Sequence, residues 1–529
     1  MPIKSVIKAN LYKDSVALMR VSQLVIARTG VQRATLLMGT RANKELLTQA
    51  HILEAGVKDA QPSDIMIVLE GDSEEAIGAA LREVEALIEG EAVSQGAGQP
   101  EDKPPRSIAM GLSVAKDANL AQISVPGPYA AAEALKALHQ GLNVFLFSDN
   151  VPLAQERVLK QLALKKDLVV MGPDCGTAII RGVPLGFANV VRRGRVGLVG
   201  ASGTGLQEVT CQIHRLGAGI SHAIGTGSHD IHEEIGGITT CQGLDMLAAD
   251  ADTDVLVVVS KPPSAAVRQR VLSQLKSVSK PSVVCFIGDS AAEPAAGGSM
   301  RLVSTLQEAA TAAVAAARGS GGATEGALPD IASETGKLAS GQRFLRGLYS
   351  GGTFCAEAQV IWRRSGIATY SNAPLDAEYR MPDGAPSREH TGIDLGSDEF
   401  TVGRPHPMID PAMRIARLQQ EAADPAVAAI VLDVVLGYGS HADPAGALAP
   451  AIRQAKATAA RAGRTMPVIA FVCGTEEDPQ RLSAQEATLR GEGVVLASGS
   501  TAAARLAAAI ALREPSVTAG KAQAAAAQR

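Results

Sequence analysis

The chain has 529 residues, 46% of them hydrophobic and 20% charged, and at the usual size of roughly 100–200 residues per domain this length predicts about three to four domains. A formal net charge of −4 and 3% aromatic residues provide neither the basic field nor the stacking surfaces that nucleic acid requires, so nucleic acid is not expected as a partner. No apolar run reaches the roughly 18 residues of a membrane span and no signal-peptide pattern opens the chain, so we expect a cytoplasmic protein that does not act at a membrane.

The N-terminal stretch alternates short apolar runs with helical patterns and predicts a small α/β domain over residues 1–94. Helices are expected at 43–54 and at 73–89, where acidic residues in the first turn favour a helix start. The domain shows no recognisable chemistry. Residues 95–106, rich in Pro and Gly, are expected to form a linker.

Alternating strand and helix patterns then predict a Rossmann-like parallel sheet over residues 107–192. The loops after its strands, at 126–129 and 172–177, are where such sheets bind ligands. The second loop makes Asp174 and Cys175 candidates for substrate contact. Cys175 is either a ligand-facing thiol or a buried structural residue, and Asp174 either contacts the ligand or caps the next segment.

The central feature of the chain is a glycine loop at residues 200–205, which follows a β-branched run and opens a helical pattern. The first N–H groups of a helix lack intrahelical partners, and Gly and Ser let phosphate oxygens approach them. Phosphate is therefore the expected ligand. The alternative is an ordinary α/β turn that uses glycine only for its backbone dihedral angles.

The same order of features recurs about 150 residues later, beginning with the loop at 350–353. Each loop has a Ser, then Gly-Thr, with Glu208 or Glu357 four residues after the Thr. Strand and helix patterns follow in the same order in both copies, which is typical of duplicated α/β modules. We therefore place a first ligase-type module at 193–318 and a second at 340–513, separated by a linker at 319–339 and followed by a tail at 514–529.

The stretches at 171–176 and 194–204, Met-Gly-Pro-Asp-Cys-Gly and Gly-Arg-Val-Gly-Leu-Val-Gly-Ala-Ser-Gly-Thr, resemble the α subunit of succinyl-CoA synthetase. With its N-terminal extension and two ligase-like modules, the chain is similar to the FdrA family. The resemblance implies a Rossmann-like CoA-binding-type domain at 107–192 followed by two tandem flavodoxin-like succinyl-CoA ligase-type domains. In that superfamily the helix N-termini of paired ligase domains face one another and bind phosphate, which implies a phosphate site made by the following residues: Ser202, Gly203, Thr204, Ser350, Gly351, Gly352 and Thr353.

Several parts of the synthetase are missing. Its phosphohistidine loop is replaced by residues 288–293, its histidine-positioning loop by residues 260–263, and the ATP-grasp domain is absent. The resemblance therefore implies only exchange of an acyl group between a leaving group and inorganic phosphate. Members of the FdrA family are associated with oxamate carbamoyltransferase of allantoin breakdown, which cleaves oxalurate with phosphate to oxamate and carbamoyl phosphate. No further cofactor is then required, although CoA or a nucleotide remains a possible ligand.

Two histidines are candidates for general acid catalysis. His229 and His406 each follow the second strand of their module and each lies near an aspartate, so they could converge on the phosphate site. Arg404 and Lys261 are candidates for binding a carboxylate or phosphate. The alternatives are loop-capping histidines and a solvated lysine. No cysteine or histidine group has clear metal-ligand spacing, and no metal is expected.

We expect a carbamoyltransferase subunit that acts on a small ureido or acyl substrate in a hetero-oligomer with other subunits. An acyl-CoA ligase that borrows its phosphate relay from another chain is the second hypothesis. A noncatalytic ligand-binding subunit is the third. Phosphate-dependent acyl release, CoA dependence, or binding without turnover would distinguish the three.

Overall fold

A computed structural model describes most of residues 2–514 and divides the chain into two compact units, residues 1–104 with 398–406, and residues 105–397 with 407–529. Within 2–514 the residues not described are 12, 14, 27, 29, 41–42, 45–46, 49–54, 91–104, 290–298, 320–330 and 402–403. Most of the predicted helix at 43–54, most of both linkers, part of the loop at 288–293 and almost all of the tail lie outside the described residues.

The first unit contains a three-stranded antiparallel sheet with the order β1-β3-β2. Its strands and helices in the described residues are β1 (Ile3–Lys8), α1 (Ser15–Ile26), β2 (Val31–Met38), β3 (Ile65–Gly71) and α2 (Glu74–Gly90). β3 takes the centre because its run of apolar residues is buried on both faces. The α/β class of this domain is as predicted.

The second unit begins with three parallel strands in the order β4-β5-β6 and three helices. These elements are α3 (Ile108–Val114), β4 (Leu120–Ile123), α4 (Gly127–His139), β5 (Asn143–Leu146), α5 (Leu153–Lys165) and β6 (Val170–Met171). Ala130, Ala134 and Ala137 lie on one face of α4 and are fully buried in this core.

A seven-stranded sheet follows, with the order β13-β12-β11-β9-β10-β7-β8. Its strands are β7 (Thr177–Ile180), β8 (Val183–Gly186), β9 (Arg193–Ala201), β10 (Ile220–Gly225), β11 (Val255–Ser260), β12 (Ser282–Phe286) and β13 (Met300–Val303). The helices of this module are α6 (Gly203–Arg215), α7 (Ile238–Ala249), α8 (Ala265–Ser277) and α9 (Leu306–Arg318). β7 pairs antiparallel with β10, so residues 177–186 extend the sheet of this module.

The second module has a six-stranded parallel sheet with the order β15-β16-β14-β17-β18-β19. Its strands are β14 (Phe344–Tyr349), β15 (Tyr370–Ser371), β16 (Thr391–Asp394), β17 (Val427–Val435), β18 (Val468–Cys473) and β19 (Val495–Ala497). Its main helices are α10 (Gly352–Arg364), α11 (Ala412–Ala423), α12 (Pro444–Arg461), α13 (Leu482–Gly491) and α14 (Ser500–Leu512). Two short helices, Ala332–Gly336 and Asp398–Thr401, are also present, and the latter belongs to the first unit.

The two modules share one strand order. In the first, β9 lies between β10 and β11, with β12 and β13 beyond; in the second, β14 lies between β16 and β17, with β18 and β19 beyond. When the edge strands β7 and β8 of the first sheet and β15 of the second are left out, the remaining five strands of each sheet, numbered in chain order, have the flavodoxin-like order 2-1-3-4-5. The predicted pair of flavodoxin-like sheets is therefore confirmed.

The modules are joined by a reciprocal contact that uses the repeated glutamates. Glu357 on α10 accepts a hydrogen bond from Leu306 N, 2.7 Å away at the start of α9 in the other module. Glu208 on α6 accepts one from Ser500 N, 3.2 Å away at the start of α14. Each carboxylate thus meets the unpaired N–H groups of the partner module's last helix.

Candidate functional site

The two predicted glycine loops lie at equivalent helix starts. α6 begins at Gly203, and its N-cap Ser202 accepts a hydrogen bond from Gly205 N at 3.1 Å. α10 begins at Gly352, and its N-cap is Gly351, which has no side chain to accept such a bond. Aligning Thr204 with Thr353 therefore places Ser202 opposite Gly351 and not opposite Ser350.

The structure brings the two loops into direct contact. The hydroxyls of Ser202 and Thr353 form a hydrogen bond of 2.5 Å, and both side chains are buried. A Cβ atom at Gly351 would lie 2.6 Å from Thr204 Oγ1, so the second loop has no room for a side chain there. The N-termini of α6 and α10, each with a partial positive charge, thus meet between the modules.

Ser350 has a different environment from Ser202. Its N–H donates to Asp433 Oδ1 at 2.8 Å and its hydroxyl donates to the other carboxylate oxygen. Asp433 lies on β17, is fully buried, and also accepts a hydrogen bond from Arg414 Nη2 at 3.3 Å. The Ser350 hydroxyl is therefore held inside the second module by a carboxylate.

A cation and a carboxylate flank the start of α10. A Cβ atom at Gly352 would lie 2.8 Å from Lys261 Nζ and would also collide with Asp394 Oδ2. Lys261 follows β11 of the first module and is partly exposed, whereas Asp394 ends β16 of the second and is buried. The acidic sequence of residues 394–399 is that of a solvated loop, yet the sheet places the side chain of Asp394 inside the protein.

His229 lies in a single 3-10 turn, Ser228–Ile231, after β10. Its Nδ1 is 3.4 Å from Glu156 Oε2, and this interaction raises the pKa of the imidazole. Ser264 N donates to Ile231 O at 3.0 Å, which ties this turn to the loop that carries Lys261. His229 and Lys261 therefore lie in two loops that contact each other at the carboxyl edge of one sheet.

The loop with Asp174 and Cys175 lies against the loop after β10, since a Cβ atom at Gly227 would meet Pro173 O. Cys175 is buried, and its Sγ donates to Thr177 O at 3.6 Å. Burial raises the pKa of this thiol to about 12, which disfavours the nucleophilic thiolate. Asp174 is exposed and adopts a left-handed conformation with φ of 54°.

Arg404 and His406 belong to the first compact unit, whereas His229 and both glycine loops belong to the second. Arg404 N donates to Thr401 O at 3.0 Å within that first unit. Convergence of His406 and His229 on one phosphate stays a prediction.

The sequence analysis missed two residues near His229, Glu156 and Lys160 on α5. Both are fully buried and lie close to each other and to Asp230, the aspartate beside His229. In the sequence, Glu156 and Lys160 have the spacing of a solvated helical ion pair, so no local signal marked them as buried.

Three family models match successive parts of the chain. They are described as "AllF, heavy metal-associated domain" at residues 1–104, "CoA binding domain" at 191–288 and "CoA-ligase" at 348–510. Together with the two flavodoxin-like sheets, these matches define an α/β protein with CoA-binding and CoA-ligase domains.

An uncharacterized protein of Escherichia coli K12, YahF, is 43% identical over 508 residues, which are 95% of this chain and 97% of YahF. The chain therefore belongs to the FdrA-like family that includes YahF. The α subunit of ADP-forming succinate–CoA ligase of Aquifex aeolicus is 28% identical over 183 residues, covering 34% of this chain and 58% of that subunit. A dinucleotide-forming acetyl-coenzyme A synthetase from Ca. Korarchaeum cryptofilum covers 75% of this chain and 86% of its own, with 16% identity and a TM-score of 0.31.

The N-terminal domain lacks the thiolate ligands that a heavy metal would need. Residues 1–104 contain no cysteine, because the first of the six is Cys175. Soft metals are held mainly by thiolates, and the described residues contain no group of three or more metal-ligating side chains. These residues do not fit a thiolate metal centre.

Across the described ranges, no helix is both long and apolar enough to cross a lipid bilayer.

Proposed function

We propose that this chain carries out phosphate-dependent acyl transfer, with inorganic phosphate or an acyl phosphate bound beside Lys261 and Gly352. The observation that supports the proposal is the approach of Lys261 from the first module to the first residue of α10 in the second. An ammonium group and two helix N-termini all favour an anion. Because Lys261 is partly exposed, a ligand reaches it from solvent.

The direct contact between Ser202 and Thr353 limits where the anion lies. Their hydroxyls close the gap between the loops, so we place the phosphate on the Lys261 side of Gly352. At this position glycine leaves room for Lys261 and Asp394 at the start of α10, and any side chain would displace them.

The proposed reaction forms one bond and breaks one. A phosphate oxygen attacks the acyl carbonyl carbon, the N–H groups of the helix start stabilise the oxyanion, and the bond to the leaving group breaks. His229, on the neighbouring loop, donates the proton that the departing atom needs. The products are an acyl phosphate and the protonated leaving group.

Two acyl donors fit this chemistry. Carbamoyl transfer from oxalurate to phosphate is the reaction that the resemblance to the FdrA family implies, and it does not need the phosphohistidine that a ligase of this type has in place of residues 288–293. The second candidate is an acyl-CoA ligase-type reaction, which the match to the CoA-binding model favours. In both cases we propose that other subunits complete the enzyme.

The CoA-binding model matches residues 191–288, which follow the predicted CoA-binding-type domain. Within that predicted domain, at 107–192, CoA or a nucleotide would use the loop after β4. Val125 and Tyr129 are 38% and 67% exposed there, at the start of α4. An aromatic surface beside a helix N-terminus suits a ligand with a base and phosphates. CoA would supply the thiol that accepts or releases the acyl group.

The test compares Lys261→Ala with Lys276→Ala, an exposed lysine on α8 of the same module. The purified chain, alone and with co-purifying partners, is assayed for phosphate-dependent release of oxamate from oxalurate and of CoA from succinyl-CoA. Loss of one charge-assisted contact should raise the KM for phosphate roughly 10- to 100-fold in Lys261→Ala only. Equal values of KM in the two variants would contradict the proposed site, and release from succinyl-CoA alone would select the ligase-type reaction.

A further inference from the structure

Glu156, Lys160 and Asp230 form a cluster of charges in the interior of the second unit, and all three side chains are 0% exposed. Lys160 Nζ lies 2.7 Å from Glu156 Oε1 and 2.7 Å from Asp230 Oδ1, and it donates to Thr226 O at 2.9 Å. Charges so deep in a protein are costly unless they are paired. Each charged group of the cluster therefore needs partners that offset the cost of its burial.

The Asp230 carboxylate is paired entirely by groups other than Glu156. Its carboxylate accepts hydrogen bonds from Thr239 N at 3.1 Å, Thr240 N at 2.8 Å and Thr240 Oγ1 at 2.6 Å, at the start of α7. With Lys160 added, both of its oxygens are bonded. Lys160 and Asp230 alone would thus tie α5 to the loop after β10.

Glu156 adds a second carboxylate to this cluster. Its Oε1 faces Lys160, and its Oε2 lies 3.4 Å from His229 Nδ1. Two carboxylates and one ammonium leave a net charge of −1, which a protonated His229 cancels. A network that served only to join α5 to the loop would not need this carboxylate.

The exposure of His229 distinguishes it from the rest of the cluster. Its side chain is 37% exposed, while Glu156 is 0% exposed. The charged groups around it are Glu156 and Asp174, which favour its protonated form, and Lys160 and His232, which oppose it; the His232 ring lies 5.2 Å away. The buried ring nitrogen Nδ1 is the one that lies 3.4 Å from Glu156 Oε2, and Nε2 is the nitrogen on the other side of the ring.

We propose that Glu156, itself held by Lys160, is a positioning residue that fixes the His229 ring through Nδ1 and leaves Nε2 to donate a proton to the leaving group. The inference rests on the proposed function for the identity of that leaving group. A carboxylate that orients a histidine also selects which ring nitrogen carries the transferable proton.

The experiment is a pH titration of the full chain labelled at histidine Cε1, followed by NMR. His229→Gln identifies the His229 signal among the nine histidines. In the wild type this signal should titrate above the ordinary histidine value of about 6.5, and in Glu156→Gln about one pH unit lower. Glu156→Asp should restore part of the difference, whereas Glu133→Gln, which changes a partly exposed carboxylate on α4, should leave the signal unchanged.

An unchanged His229 titration in a folded Glu156→Gln variant would overturn the inference. If that variant does not fold, the same comparison is made with Glu156→Asp, where an unchanged titration has the same meaning. If His229 shifts as expected and no preparation turns over, the positioning contact stands and the proposed function fails. If the enzyme turns over, its kcat is measured as a function of pH. In Glu156→Gln the fall of kcat at high pH should begin at a lower pH than in the wild type, while the KM for phosphate stays unchanged. A fall of kcat at the same pH in both proteins would overturn the inference.

Discussion

In the first ligase-type module a side chain caps the helix after the central strand, whereas in the second module glycine occupies that position. Ser202 bonds both its own helix and Thr353 of the other module, while Ser350, one position earlier, bonds Asp433 of its own sheet. The strand neighbour explains the difference. β17 offers a carboxylate at 433, and the strand registers place Val259 of β11 at the equivalent position. Duplicated sequence patterns therefore preserved the helix starts but not the roles of the serines.

The largest expected effect comes from removing the carboxylate that holds Ser350. Asp433→Ala leaves Arg414 buried without that partner, and breaking such a buried pair should cost roughly 3–5 kcal/mol of unfolding free energy. Urea unfolding measures this loss. The matched variant Val259→Ala should cost less, about 2 kcal/mol, because it removes only apolar contacts. Equal losses would mean that the second module does not depend on its carboxylate.

The reciprocal glutamates give a pH dependence. Burial raises the pKa of Glu357 to about 7, and the nearby charge of Glu208 acts in the same direction. An acid whose folded-state pKa is raised contributes stability that is complete below its unfolded value of 4.5 and is lost as pH rises through about 7. The shift corresponds to at most about 3 kcal/mol.

Thermal unfolding between pH 5 and pH 8 checks this dependence. The wild type should lose stability as pH rises over that range, and Glu357→Gln should flatten the dependence because the titrating group is gone. Glu378→Gln, on a surface turn of the same module, serves as the control. A wild-type Tm that rises steadily through this range, unchanged by Glu357→Gln, would contradict the account.

The smallest effect concerns the helix starts themselves. Gly351→Ala places a Cβ against Thr204 and should cost roughly 1–3 kcal/mol through overpacking. Ser202→Ala removes an N-cap side chain and should cost about 1 kcal/mol. Chemical denaturation gives the unfolding free energy of both variants and so compares the starts of α6 and α10. A neutral Gly351→Ala would show that the loops are farther apart than described.

The sequence predicted the features that depend on local pattern. Strand, Gly-Thr loop and helix are set by adjacent residues, so both helix starts and the two flavodoxin-like sheets could be predicted. The partner of Ser350 could not, because Asp433 lies 83 residues away in the chain. Glu156 and Lys160 were missed for the same reason, since their burial depends on Asp230, 70 residues from Lys160.

Asp394 is a residue whose local sequence indicates the wrong environment. Its acidic neighbourhood indicated a solvated loop, yet the strand Thr391–Asp394 ends inside the protein beside Gly352 and Lys261. Only the parallel order of β14 and β16 places this carboxylate at the start of α10. Composition alone could not distinguish it from the exposed Asp398 that follows.

Binding of inorganic phosphate to the full chain is the most direct test of the central claim. Equilibrium dialysis with labelled phosphate would compare the wild type with Lys261→Ala and with the control Lys276→Ala. The account predicts saturable binding to the wild type and the control, and affinity at least about 10-fold weaker in Lys261→Ala. No saturable binding to the wild type, or equal affinity in all three proteins, would contradict a phosphate site between the two modules.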